Sequence, residues 1–141
     1  MKHRILLAVD DSQSSLRAVK HVIGLAKRAG PFEIHLLHVS PEVSEESVDA
    51  LGREEVDQDL AAEGKAALAR AERLLLEAGV GHSSHIEIGR PSTVIATFAR
   101  ENACDQIVLG THGKGTPRSV VVGAVAMRVV ALADVPVTVV K

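Results

Sequence analysis

The chain has 141 residues, a formal net charge of −2, and 46% hydrophobic against 24% charged side chains. Such a chain buries about two-thirds of its unfolded surface as one compact domain, residues 1–141, with the balance of an ordinary globular protein. Phe32 and Phe98 are the only aromatics, and no basic face is concentrated, which argues against single-stranded or duplex nucleic acid as a partner.

Met1-Lys-His-Arg runs directly into Ile5-Leu-Leu-Ala-Val9, leaving no room for the apolar core and cleavage site of a signal peptide. No apolar run approaches the ~20 residues that span a bilayer, so a cytoplasmic protein without membrane contact is expected. Ile5–Val9 reads as a strand buried on both faces. Asp10-Asp-Ser12 ends it, and Ser12 or Ser14 caps a helix to about Ala29 with Leu16, Val19, Ile23 and Ala26 at helical spacing. Gly30-Pro31 stops that helix, and Phe32–Val39 is a second strand.

Residues 41–60 carry eight acidic side chains against Arg53 alone, a local charge of −7 that leaves +5 elsewhere. This block reads as a solvated loop and helix start with no catalytic role. From about Arg53 a long helix sets Val56, Leu60, Ala67, Ala71, Leu74 and Ala78 on one stripe, and Gly79 ends it. His85–Ile88 is a third strand, and Gly89-Arg-Pro91-Ser turns into a short helix through Asn102. Cys104, the lone cysteine, precludes an internal disulfide and fits a buried structural thiol in a reducing compartment. Asp105–Leu109 is the fourth strand, a helix falls between Pro117 and Ala133, and Val135–Val140 is a fifth strand.

Strands alternating with helices predict an α/β fold: an open parallel sheet with helices on both faces. Pro136 cannot donate to a ladder, which puts the fifth strand at an edge. Ligands of such sheets sit beyond the carboxyl ends of the strands, where the winding reverses. If the first and fourth strands are neighbours, Asp10 and Gly110 face one crevice.

The fourth strand runs straight into Gly110-Thr-His-Gly113, followed by Gly123-Ala124. Glycines let the backbone approach a ligand, and a following helix N-terminus adds partial positive charge, which together suit phosphate. The loop is not a Walker A motif: position 108 is Val where glycine is required, and 115 is Gly where Ser or Thr is required. Nor does it follow the first strand, as a dinucleotide fingerprint does. The bland alternative is that Gly110 and Gly113 only turn the chain and Gly123 packs a helix.

Seven histidines raise the question of a metal. His35 and His38, like His82 and His85, are three apart, which on a strand points each pair to opposite faces, so neither pair chelates. No cluster has zinc-like spacing, and no metal ligand is assigned. ATP hydrolysis needs a positioned base and a charge clamp. Asp11 and His112 are the nearby candidates and no motif fixes either, so a binding regulator is favoured over an enzyme.

Gly110-x2-Gly113-x9-Gly123 resembles the nucleotide motif of the universal stress protein family. The resemblance extends in order through V-D-D-S, L-L-H-V, G-R-P, D-Q-I-V-L-G-T-H-G and V-P-V-T-V-V, across essentially the whole chain. It implies a Rossmann-like sheet in the order 3-2-1-4-5 and an adenine nucleotide, ATP with Mg²⁺ or Mn²⁺, as ligand of a stress-response regulator. Residue by residue, Asp10 would hold the adenine or ribose end, Val39 would offer its backbone to adenine, and Gly110 would lie under the ribose. Gly113, Gly123 and Ala124 would line the phosphates. Ala8, His112 and Val125 join the implied site; apart from the resemblance, Lys114 and Arg118 read by default as solvated surface and alternatively as charge for the phosphates.

Position 124 departs from the family pattern: Ala stands where a Ser or Thr hydroxyl is usual, with Thr116 or Ser119 as substitutes. The resemblance also implies a homodimer through Val135–Val140, whose outer edge is an association template blunted only by Pro136 and Lys141. Two other functions are carried forward. One is a nucleotide-free member of the family acting through protein contacts. The other is a phospho-acceptor receiver, suggested by Asp10-Asp11, Thr111 and Lys141 but lacking an aspartate after the third strand, which ends Glu87-Ile88-Gly89.

Overall fold

The computed structural model describes residues 2–113 and 122–141. Five strands form one parallel sheet: β1 (Arg4–Ala8), β2 (Glu33–Ser40), β3 (Ser83–Ile88), β4 (Gln106–Gly110) and β5 (Val137–Val140), in the order β3-β2-β1-β4-β5. β1 is central, with Ala8 level with Leu37 on one side and Leu109 on the other. The helices are α1 (Gln13–Ala29), α2 (Glu45–Leu51), α3 (Arg53–Glu77), α4 (Pro91–Glu101) and α5 (Ala124–Leu132).

Alternation along the strands splits the core in two. Ile5, Leu7, Ile34, Leu36 and Val108 pack on one face with Val19 and Val22 of α1 and Leu68, Ala71 and Leu75 of α3. Leu6, Ala8, Leu37, Ile107 and Leu109 pack on the other with Ile95, Phe98 and Ala99 of α4 and Ala126 and Val129 of α5. Ile5, Leu6 and Leu7 have no exposed surface, each burial being worth about 1.5–3 kcal/mol. A chain without Trp or Tyr closes its core through many such aliphatic contacts.

The structure differs from the sequence expectation at several boundaries. The acidic stretch contains α2, capped by the Ser44 hydroxyl, which accepts the Ser47 N–H at 3.2 Å. No residue of α2 is buried, so it has no apolar stripe to read. On α3 the buried row ends at Leu75, while Leu74 is only partly buried and Ala78 is the C-cap. β3 begins at Ser83 rather than His85; it is an exposed edge without hydrophobic alternation. β5 is an edge as expected, but Pro136 lies before it and turns its carbonyl inward, accepting the Ile107 N–H at 3.0 Å. The proline therefore does not blunt the outer edge. Among the described residues no helix is long and apolar enough to cross a membrane.

Candidate functional site

β1 delivers Asp10 to the carboxyl end of the sheet, where the turn into α1 holds it. Its Oδ1 accepts the Ser12 N–H at 3.0 Å and the Ser15 hydroxyl at 2.8 Å, and its own N–H donates to Ser15 Oγ at 3.1 Å. Ser12 is the N-cap of α1, accepting the Ser15 N–H at 3.2 Å. Asp11 lies in the left-handed region at φ 65° and sends its carboxylate toward Arg70 of α3, 3.6 Å away.

Next door, β4 ends against the start of α1. A Cβ on Gly110 would collide with the Ser14 hydroxyl and come within 2.5 Å of its backbone carbon. That contact gives Gly110 a packing reason of its own, separate from any ribose. Buried Ser14 donates to the His112 carbonyl at 2.6 Å and accepts the His112 N–H at 3.1 Å. Thr111 Oγ1 meets His112 Nδ1 at 2.9 Å. A Cβ on Gly113 would lie 2.8 Å from Asp10 Oδ2, so that carboxylate fills the space glycine leaves.

Across the crevice, Gly123 is the N-cap of α5 and its N–H donates to the Thr111 carbonyl at 2.7 Å. Among the described residues no side chain caps this helix, so its first-turn N–H groups beyond Gly123 have no described side-chain acceptor at the crevice. Ala124 is exposed and, as the sequence requires, brings no hydroxyl.

These parts enclose a cleft of about 460 Å³, within the range of roughly 300–1,000 Å³ usual for small-molecule sites. Ala8, Asp10, Val39, Gly110, His112, Gly113, Gly123, Ala124 and Val125 all line it. Arg118, together with Lys114, Thr116 and Ser119, lies outside the described residues. Leu37, Val39, Pro91 and Ile95 give one wall an apolar surface, while Asp10, Asp11, Glu63 and the α5 N-terminus supply charge and dipoles.

Leu37, Glu63, Pro91 and Ile95 escaped the sequence reading as cleft residues, and so did the roles of Ser14 and His38. Ser14 was a candidate cap, yet its hydroxyl clamps the loop after β4 instead. His38, 6% exposed, also lines the cleft. Its Nδ1 donates to the Val9 carbonyl at 3.0 Å, and its buried Nε2 has no hydrogen-bond partner among the described residues. The pairing of His35 with His85 was missed too, because they meet across β2 and β3 rather than along one strand. The hydrogen bond to His35 holds the Glu33 carboxyl below its ordinary range, and burial followed by the His35 charge pushes His85 down.

The sequence model of the universal stress protein family matches residues 1–141. Universal stress protein MJ0531 of Methanocaldococcus jannaschii is 36% identical, the match covering 98% of this chain and 81% of that protein. The solved structure of MJ0577, described as a hypothetical protein, superposes with a TM-score of 0.85 at 30% identity, covering 100% of this chain and 96% of the other. A universal stress protein from Archaeoglobus fulgidus, solved in complex with dAMP, superposes with a TM-score of 0.71 at 23% identity, covering 100% and 98%.

Proposed function

This chain belongs to the universal stress protein family, and from that premise we propose that its cleft binds an adenine nucleotide as the switch of a cytoplasmic stress-response regulator. ATP, with Mg²⁺ or Mn²⁺, is the form we favour. One observation carries the reading: the ends of β1 and β4 and the N-terminus of α5, which no described side chain caps, converge on a single cleft of nucleotide size. The dAMP complex of a family member with this fold supports the adenine class.

In this reading the apolar wall of Leu37, Val39 and Ile95 takes the base, and Asp10, pinned by Ser12 and Ser15, faces the ribose. The phosphates lie at Gly113 and the first turn of α5. The Gly123 N–H is already spent on Thr111, which leaves the N–H groups of Ala124 and Val125 for the anion. A regulator is favoured over a hydrolase because Asp11 turns to Arg70 and His112 is held to Ser14 and Thr111, so neither is poised as a base. Residues 1–141 act as one domain in this reading. The outer edge of β5, beside the exposed Met127, Val130 and Leu132 of α5, is the surface through which two copies pair.

Isothermal titration with ATP–Mg²⁺, AMP and GTP tests the proposal. Micromolar-range binding of the adenine nucleotides, with GTP much weaker, is expected. No heat at millimolar ATP or AMP would reject it and leave a family member acting through protein contacts alone.

A further inference from the structure

On the far side of the sheet from α1 and α3, at the edge formed by β3, three donor atoms meet. His35 Nδ1 lies 3.1 Å from His85 Nε2, and Ser83 Oγ lies 3.2 Å from each. The register sets His35 level with Ser83 and His85 level with Leu37, so all three share one sheet face. Phe98 of α4 supports both imidazoles edge-on, with ring centroids 4.8 Å from His85 and 6.0 Å from His35.

The outer nitrogen of His35 is already committed. Nε2 lies 2.8 Å from Glu33 Oε2, an oxygen that Arg4 Nε also holds at 2.9 Å. A carboxylate accepts only, so Nε2 carries a proton, and Nδ1 is the His35 nitrogen left to act as a ligand through its lone pair. Ser83 and His85 Nε2 then bring at most two protons to three close edges. With the His85 proton on Nδ1 instead, all three atoms carry lone pairs, and one cation above the triangle would satisfy them together.

We propose that His35, His85 and Ser83 form a site for a divalent transition-metal ion of the Zn²⁺ class, distinct from the nucleotide cleft. Donor atoms about 2.0–2.1 Å from one ion stand about 2.9–3.4 Å apart, depending on octahedral or tetrahedral geometry. All three edges of this triangle fall in that interval, and an ion at such bond lengths sits roughly 1 Å above its plane. Imidazole nitrogen suits zinc, copper and nickel rather than magnesium or calcium. Glu33 is the positioning carboxylate that fixes tautomer and ring orientation, the arrangement of a carboxylate–histidine–metal relay. Among the described residues no three His, Cys, Asp or Glu side chains converge as a metal site; the triad closes only with the serine hydroxyl, and solvent completes the shell at this exposed edge. A bound ion would tie β3 to β2.

The test uses the untagged full chain and Zn²⁺ alone, with calorimetry and thermal melting. The expected result is one ion per chain at micromolar-range affinity, with a raised Tm. Losing an outer-shell partner typically weakens a metal site about 10–100-fold, so Glu33→Gln should lie in that range and His85→Gln should lose more. The gain in Tm on adding Zn²⁺, taken against each protein's own Tm in chelator, should shrink in Glu33→Gln and vanish in His85→Gln. Should His85→Gln fail to fold, imidazole ¹⁵N signals of the wild type replace it: Zn²⁺ must move His35 and His85 and spare His3 and His21. No saturable binding at millimolar Zn²⁺, undiminished binding by a folded His85→Gln chain, or shifts confined to other histidines would overturn the proposal.

Discussion

The Ser14 hydroxyl holds both backbone groups of His112, donating to its carbonyl at 2.6 Å and accepting its N–H at 3.1 Å. One side chain at the start of α1 thus fixes the loop that follows β4. Ser14→Ala removes both of these hydrogen bonds from a partly buried loop, at a cost of about 1–3 kcal/mol. The expected outcome is a lower denaturation midpoint together with weaker nucleotide binding. Unchanged affinity in a destabilised variant would show that the clamp serves folding only.

Gly110 and Gly113 should separate stability from binding. A methyl at 110 meets the Ser14 backbone, an overpacking worth about 1–3 kcal/mol, so Gly110→Ala should lower Tm. A methyl at 113 meets the Asp10 carboxylate, whose other oxygen is pinned by Ser12 and Ser15. Gly113→Ala should therefore keep most of the stability and lose about tenfold or more in nucleotide affinity, or about 1.4 kcal/mol. Calorimetry and melting on the same two variants decide it, and equal effects of both on affinity would refute the division.

Ala124 stands at the first position of α5, facing the cleft. A hydroxyl there adds a hydrogen bond to a charged phosphate, typically worth about 1.5–3 kcal/mol. Ala124→Ser should tighten ATP by one to two orders of magnitude and adenosine hardly at all. Equal gains for both ligands would mean the phosphates lie elsewhere.

Burial pushes the Cys104 thiol up, a shift only partly opposed by the Arg4 charge. The thiolate is the reactive form, so the folded chain should alkylate more slowly than the unfolded chain at mildly alkaline pH, with its rate profile displaced to higher pH. The sign for stability follows: the thiol is preferred in the fold, so this contribution is present at neutral pH and fades as pH rises through the unfolded thiol's range. Fast labelling of the native chain, matching the denatured one, would contradict the placement.

Assembly can be tested without cutting the chain. Pro136 and Val140 turn their carbonyls to β4, donated to by Ile107 and Thr111. Alternation then aims the backbone of Val137 and Val139 outward. Val139→Pro removes an outward donor while sparing the β4 ladder, and should convert a dimer to a monomer in light scattering. A wild-type chain already monomeric at tens of micromolar (far above a specific dimer's Kd) would dismiss pairing through this edge.

The strands and the glycine turns were legible from strong local signals, and the order of the sheet from the family resemblance. Apolar runs such as Ile5–Val9 and Asp105–Leu109 identify buried strands, and Gly110, Gly113 and Gly123 mark where backbone must come close. What escaped depends on contacts between distant segments. Ser14 meets His112 and His35 meets His85 only after the sheet has assembled. α2 escaped for the opposite reason: it is set by the Ser44 cap and buries nothing, so periodicity has no purchase on it.

The carbonyl of Val140, one residue from the C-terminus, accepts the Thr111 N–H at 2.8 Å, and the Thr111 carbonyl accepts the Gly123 N–H at 2.7 Å. The final strand is thus two hydrogen bonds from the mouth of α5, through a single threonine peptide. A ligand that immobilised this peptide would thereby steady β5 as well, and by reciprocity whatever steadies β5 would steady the mouth of α5.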